Sequence, residues 1–294
     1  MVLSIFMPFY GDFDHLKSAV QSVMSQDSSD WTLAVLDDCY PDSAPGEWVK
    51  SISDSRVRYV RNQDNLRPSR NYNKAVSSCE TEYLTIMGCD DLMLPNYVSR
   101  VLTLVKRFPE AKIIQPGVSI IDENGASVLP LVDRVKRMYS PNISMAREIG
   151  GEELAVSLLR GNWTYFPSLV WRADLVKAIS FRTDLNVVQD LAMLLQIALR
   201  GGAMAVDSHE VFLYRRHSKS FSAVSAPDGS KFGEEFKFFK EIEKECRLHG
   251  WKKASRVARL HLSSRLHALV DLPLAIRAKN AEGSKALLGH IFGF

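Results

Sequence analysis

No Cys-x-x-Cys pair occurs among the four cysteines, Cys39, Cys79, Cys89 and Cys246, and His249 stands alone beside the last of them. That spacing excludes a zinc site or a redox dithiol and leaves reduced thiols, as expected of a cytosolic protein. There is no excess of one charge: 37 lysines and arginines face 34 aspartates and glutamates, a net of +3. Phosphate-tracking surfaces concentrate many cations on one face, so no nucleic-acid partner is expected. No apolar run approaches the roughly 18 to 20 consecutive residues of a bilayer span. The apolar start, Met1 to Tyr10, lacks a basic leader and runs at once into Asp12 and Asp14, so a strand is expected there and not a signal peptide. Internal repeats and low-complexity tracts are missing too. What the 294 residues do contain is 46% hydrophobic and 24% charged side chains, enough for a substantial core.

Hydrophobic spacing alternates between two periods. Val2 to Pro8 reads as a buried strand, and Leu16, Ala19, Val20, Val23 and Met24 recur at helical spacing before a second strand at Trp31 to Leu36. A helix in the forties, a strand at Val57 to Val60, a helix at Asn71 to Ser78 and a strand at Tyr83 to Met87 repeat the pattern. Parallel strands need crossover helices, so the expected class is α/β with a mostly parallel sheet flanked by helices. Further on, Lys112 to Ile121 reads as a strand, Gly151 to Arg160 and Asp190 to Arg200 as helices, Glu234 to Arg247 as a charged helix and Trp251 to Leu269 as a basic amphipathic one.

Ligands of such sheets sit beyond the carboxyl ends of the strands, which directs attention to three acidic features. Asp37 and Asp38 follow the Trp31 to Leu36 strand, and Asp90 and Asp91 follow the Tyr83 strand across Gly88. Adjacent carboxylates repel, a cost offset by a cation or by donors from a ligand. Hard divalent ions, Mn²⁺ or Mg²⁺, take one or two such carboxylates and complete their shell with phosphate and water. Capping of a following helix is the competing role for either pair. Arg67 and Arg70, in the polar segment before the Asp90 strand, have the planar fork that suits phosphate or nucleobase recognition. Asp190 stands at a helix start, where a carboxylate stays ionised and can accept a proton.

Together these residues resemble the family 2 glycosyltransferases of the GT-A fold, over about Val2 to Ser225. The opening Ser4-Ile-Phe-Met-Pro-Phe-Tyr10 is similar to the family's first strand, Leu36-Asp-Asp38 to its nucleobase-contacting pair, Arg70-Asn71 to its Arg-Asn helix start, and Gly88-Cys-Asp-Asp91 with Pro95 to its Asp-x-Asp-Asp signature. Gly88 departs from that signature, since many relatives carry an acidic residue there. The resemblance implies a nucleotide-diphosphate sugar donor held by Pro8, Tyr10, Asp38, Arg67, Arg70 and Asp90, with Asp90 on the ribose and Asp91 on the metal. Gln189-Asp190 matches the family's general-base position. Tyr214-Arg-Arg-His217, followed by Ser218 to Ser222, is similar to its closing segment, which brings His217 to the metal diphosphate with Arg215 and Arg216 alongside.

The implied reaction is an inverting transfer, with Asp190 deprotonating a hydroxyl of a saccharide or lipid-linked saccharide acceptor. Trp163, Tyr165 and Trp171 are candidates for stacking on the acceptor or for the core. The implied organisation is a GT-A domain over 1–225, with a nucleotide-binding half, 1–105, and an acceptor-binding half, 106–225, and a helical C-terminal extension over 226–294. Those last helices are candidates for a peripheral contact with the inner face of the membrane, for homodimerisation, or for packing on the domain. Nucleotidyl transfer competes, but Pro8-Phe-Tyr-Gly-Asp12 offers one glycine where a phosphate loop needs several. A non-catalytic sugar-nucleotide-binding protein competes as well, and has no use for a base at Asp190.

Overall fold

The computed structural model describes residues 1–217, 230–277 and 280–293. Four parallel strands form its first half: β1 (Leu3–Phe9), β2 (Trp31–Asp37), β3 (Val57–Arg61) and β4 (Tyr83–Ile86). Helices α1 (Phe13–Met24), α2 (Ala44–Ser51) and α3 (Arg67–Ser78) make the crossovers. The α1 helix forms because Leu16, Ala19, Val20 and Val23 share one buried face while Asp12 accepts from the Asp14 and His15 amides. Proline in the first turn of α2 and α3 sits where its missing N–H costs nothing.

Alternation along β1 divides the core. Leu3, Ile5, Met7 and Phe9 face one cluster, while Phe6 joins Ala34, Leu36, Leu84 and Ile86 in the other, so the strand is buried on both faces. The sheet continues through β8 (Val170–Arg172), β6 (Ala111–Ile121), β9 (Ala203–Arg215) and the short β5 (Leu92–Met93), in the order β3-β2-β1-β4-β8-β6-β9-β5, with β7 (Arg147–Gly150) also on β9. Because β8 is antiparallel to both β4 and β6, and β9 is parallel to β6, the carboxyl ends of β1 to β4, β6 and β9 share one edge of the sheet.

Sequence periodicity did not show β9, since Asp207-Ser-His-Glu210 interrupts its apolar pattern. The structure absorbs that stretch as a bulge: Gln115 pairs with Val206 and Gly117 with Glu210. A Cβ on Gly117 would lie 2.6 Å from the His209 backbone, so only glycine permits the approach. Helices α4 (Tyr97–Arg107), α5 (Leu131–Tyr139), α6 (Gly151–Arg160), α7 (Ala173–Ile179) and α8 (Gln189–Leu199) cover the second half.

The C-terminal text forms α9 (Ser230–Leu248), α10 (Lys252–Leu260), α11 (Leu262–Arg277) and α12 (Ala281–Phe292). The amphipathic stretch expected as one helix over Trp251 to Leu269 is broken at His261, which takes φ 29°. Its imidazole lies stacked on Phe239 at 4.9 Å, a tertiary contact that outweighs local helix propensity. Phe238, Phe239, Ile242 and Cys246 of α9 join the core of the sheet domain, whereas Ala268, Ala275 and Leu287 form a small cluster of their own with Phe232. Among the described residues no helix is long and apolar enough to cross a membrane.

Candidate active site

The two carboxylates at the end of β2 are spent differently. Asp37, fully buried, accepts from the Tyr40 amide at 2.7 Å, the Arg61 guanidinium at 2.9 Å and the Tyr59 hydroxyl, and so ties β2 to β3. Asp38 accepts from Asn62 Nδ2 at 2.7 Å and from the Leu66 and Arg67 amides at 2.8 and 2.9 Å. It therefore caps the start of α3 from across the chain, and of the roughly four acceptor positions of a carboxylate one remains open. The cap holds Arg67 at a left-handed φ of 63°, a strained geometry for a side chain of that size. Arg67 and Arg70 are exposed, and among the described residues no acceptor meets either guanidinium. Pro8 is half-buried near the end of β1, while Tyr10 is 54% exposed with its ring edge-on to Tyr40 at 5.5 Å.

Beyond β4 the chain turns at Gly88 and presents Asp90 and Asp91 against the end of β9. Asp91 Oδ1 accepts from the Arg215 amide at 2.8 Å, and Asp90 Oδ2 meets His217 Nε2 at 2.8 Å. The other oxygen of each carboxylate has no protein donor among the described residues. Both lie over Gly88, where a Cβ would come within 2.5 Å of Asp91 Oδ2 and 2.7 Å of Asp90 Oδ1. Burial, then the neighbouring Asp90, pushes the Asp91 carboxyl well above its usual range. A hard divalent cation fits this donor set: two free carboxylate oxygens converge, a counter-charge is wanted, and the nearby Cys89 thiol is held protonated by burial. Among the described residues no cluster of three or more acidic, histidine or cysteine side chains is preformed, so the shell would be completed by phosphate and water.

The basic residues of the closing segment serve the protein itself. Arg215, 6% exposed, donates to the carbonyls of Asp90, Asp122 and Glu123 at 2.7, 3.0 and 3.1 Å. Arg216 forks onto Asp133 of α5 at 2.9 and 3.1 Å. His217 lies 5.7 Å from the His15 ring, and Ser218 to Ser222 fall outside the described residues.

Asp190 lies in the first turn of α8. Asn162 Nδ2 donates to its Oδ2 at 2.9 Å and the Leu191 amide to its Oδ1 at 2.7 Å. Burial raises its carboxyl, against the lowering effects of the Leu191 amide and of Lys136. Lys136 of α5 donates to the Thr164 carbonyl at 2.8 Å and lies 4.5 Å from the Tyr165 ring centroid; burial lowers its ammonium to about 8. Tyr165 donates to Asp133 Oδ1 at 3.0 Å, whereas Trp163 is 3% exposed with its indole N–H on Ser157, leaving no open ring face. Trp171 is wholly buried.

The Tyr72 hydroxyl, raised chiefly by burial, is raised further by Asp190 and then by Asp90, so both acidic features lie within electrostatic range of one buried hydroxyl. Tyr214 in turn feels Asp91, Asp90 and Asp133. Sequence reasoning missed Tyr72, Lys136, Asp133, Asn162 and Glu234. None carries a local motif, because each acts through a partner distant in the chain.

Glu234 of α9 has the clearest positioning role. Its carboxylate accepts from the Asn186 amide at 2.9 Å, Val187 at 2.7 Å and Val188 at 3.3 Å, the three residues that lead into Gln189 and Asp190. On the α3 side, Ser69 and Asn73 hold the carbonyls of Leu185 and Phe181. Glu234→Ala is therefore expected to lower kcat by between about tenfold and a hundredfold through misplacement of Asp190, with donor Kd unchanged. Steady-state kinetics beside nucleotide titration checks this, and Glu234→Gln, which keeps one acceptor, should recover part of the loss.

Comparison with known proteins agrees with this geometry. The sequence profile of glycosyl transferase family 2 matches residues 4–152. A protein of Escherichia coli K12 named as a colanic acid biosynthesis glycosyl transferase, WcaA, is 25% identical over 245 residues, covering 82% of this chain and 81% of that one. An uncharacterised glycosyltransferase of Methanocaldococcus jannaschii is 22% identical, covering 64% of this chain and 62% of its own. Among solved structures, Staphylococcus aureus TarS 1–349 in complex with UDP-GlcNAc superposes with a TM-score of 0.65 at 15% identity, over 100% of this chain and 92% of that one. That likeness shows the GT-A fold.

Proposed function

Because this chain belongs to glycosyl transferase family 2, and is a glycosyltransferase, we propose that it moves a sugar from a UDP- or dTDP-sugar to a hydroxyl of a saccharide or lipid-linked saccharide, with inversion. One observation carries the reading: Asp190 in the first turn of α8 and Asp90 in the turn beyond β4, far apart in the chain, both act on the buried Tyr72 hydroxyl of α3, which supports a base and a donor-holding carboxylate at one site. TarS binds UDP-GlcNAc on the same fold, which supports a nucleotide-sugar donor. We assign residues 1–105 to nucleotide binding, 106–225 to the acceptor and 226–294 to a helical extension that braces the base through Glu234.

In this reading Tyr10 offers an open ring to the base, Pro8 and the free acceptor position of Asp38 border it, and Arg67 and Arg70 face the donor's charge. Asp90 takes the ribose. Asp91 with His217 is where Mn²⁺ or Mg²⁺ would be held, supplying charge neutralisation for the departing diphosphate. Asp190 removes the acceptor proton as the oxygen attacks the anomeric carbon, and positioning supplies much of the rest. Tyr165, beside Lys136, offers its ring to the acceptor.

The charge on Lys136 favours the ionised, active form of Asp190. Removing it raises the Asp190 pKa, so more of the base is protonated at a given pH. Lys136→Met is expected to move the acid limb of the kcat/KM profile to higher pH; an unmoved limb would separate Lys136 from the base. The donor itself is found by a thermal-shift panel of nucleotide sugars with Mn²⁺, since ligands of the native state raise Tm. A uridine or thymidine diphosphate sugar should raise it, and silence across the whole panel would overturn the reading.

A further inference from the structure

Helix α5 is turned inside out. Its charged Asp133 is wholly buried and Lys136 points into the cavity, while Leu131 is 75% exposed, Met138 83%, Val132 49% and Val135 40%. At about 100° per residue, Leu131, Val135 and Met138 share one outward stripe with Val132 at its margin. Met145, 72% exposed, and Leu129, 37% exposed, extend the apolar surface at either end. A contiguous exposed apolar stripe on a helix whose polar side faces inward is the kind of surface that marks an interaction site.

The charges say which. Between Asn124 and Ala146 the one acidic residue is Asp133, and it is buried against Arg216. Arg134 and Arg137, both exposed, border the apolar stripe on one side. A second copy of this face would bring arginines against arginines with no exposed carboxylate between them, which disfavours a symmetric contact. An anionic lipid surface satisfies both components, since acyl chains accept the apolar stripe and headgroup phosphates the guanidinium groups.

We propose that the outer face of α5 docks on an anionic lipid bilayer, with Leu131, Val135 and Met138 at acyl depth and Arg134 and Arg137 on phosphates. This places the membrane contact in the acceptor-binding half and not in the C-terminal helices to which sequence periodicity pointed. The consequence is geometric. A cavity of about 320 Å³ opens beside the helix, lined by Lys136, Arg137, Ser140 and Tyr165, so docking would bring it to the lipid surface. The contact stands independently of the catalytic reading, because it concerns binding alone.

The test is co-sedimentation of the full chain with vesicles of phosphatidylcholine, with and without phosphatidylglycerol. Binding is expected to the anionic vesicles and not to the neutral ones. Leu131→Asp with Met138→Asp should weaken it more than about tenfold, and Arg134→Gln with Arg137→Gln by about fivefold per arginine. These side chains are exposed, so an unchanged melting point keeps the comparison valid. No binding of the wild type to anionic vesicles at low salt overturns the proposal. So does binding that survives the α5 pair but is lost on Leu266→Asp with Val270→Asp in α11, and so does an α5 pair that alters only the sedimentation coefficient.

Discussion

Asp190→Asn is expected to reduce sugar transfer by about a thousandfold, the middle of the range for loss of a general base, while nucleotide affinity stays within about twofold. The substitution preserves shape and keeps an oxygen for the Asn162 amide, which now donates to Asp190 Oδ2. It removes the carboxylate proposed as the base. Asp133, the other nearby acid, is wholly buried and held by Arg216 and Tyr165, so it cannot take over. The acid limb of the pH profile should disappear with the group that causes it. Single-turnover kinetics with the donor identified by thermal shift measures both quantities, and a variant that retains activity would move the base to another residue.

Asp91→Asn tests the other side of the cavity. The asparagine can still accept from the Arg215 amide, so the turn at Gly88 is kept and no buried donor is orphaned. What is lost is the charge that a divalent cation would answer. Donor affinity in the presence of Mn²⁺ should fall by about a hundredfold or more, the equivalent of several kcal/mol of metal-mediated charge stabilisation. Without metal, wild type and variant should bind alike. Equal affinities in the presence of Mn²⁺ would remove Asp91 from the metal. The alanine variant is a poorer probe, because it also leaves the Arg215 N–H unpaired in a buried place.

The first half of the sheet was legible because its signals are local. β1 to β4 are short apolar runs with a turn after each, and the pairs Asp37-Asp38 and Asp90-Asp91 stand at strand ends where ligands of such sheets gather. Even here the two members of a pair differ in ways spacing does not reveal: Asp37 is consumed by Tyr40, Tyr59 and Arg61, and Asp38 doubles as a helix cap for residues nearly thirty positions later. Both of the roles weighed for that pair, capping and ligand binding, are compatible at Asp38, since one acceptor position stays open.

The segment after α4 was less legible for a reason of periodicity. Helix α5 carries its apolar residues outward, so its pattern says which side faces away from the core, the reverse of the usual inference. Strand β9 hides a bulge, and α9 contributes through Glu234, whose value lies in three amides of a loop it meets only in the folded state. For Trp163 and Trp171 the sequence left stacking on a ligand and packing in the core both open, and the fold takes the second, burying each of them.

The most direct measurement is the anomeric configuration of the glycosidic bond formed, read from the coupling of the product's anomeric proton by NMR. With Asp190 acting as proposed, as a base and not as a nucleophile, transfer is a single displacement, so the new bond should have the configuration opposite to that of the donor. A product that keeps the donor's configuration would require a nucleophile on the enzyme and would contradict the placement of Asp190 as the base.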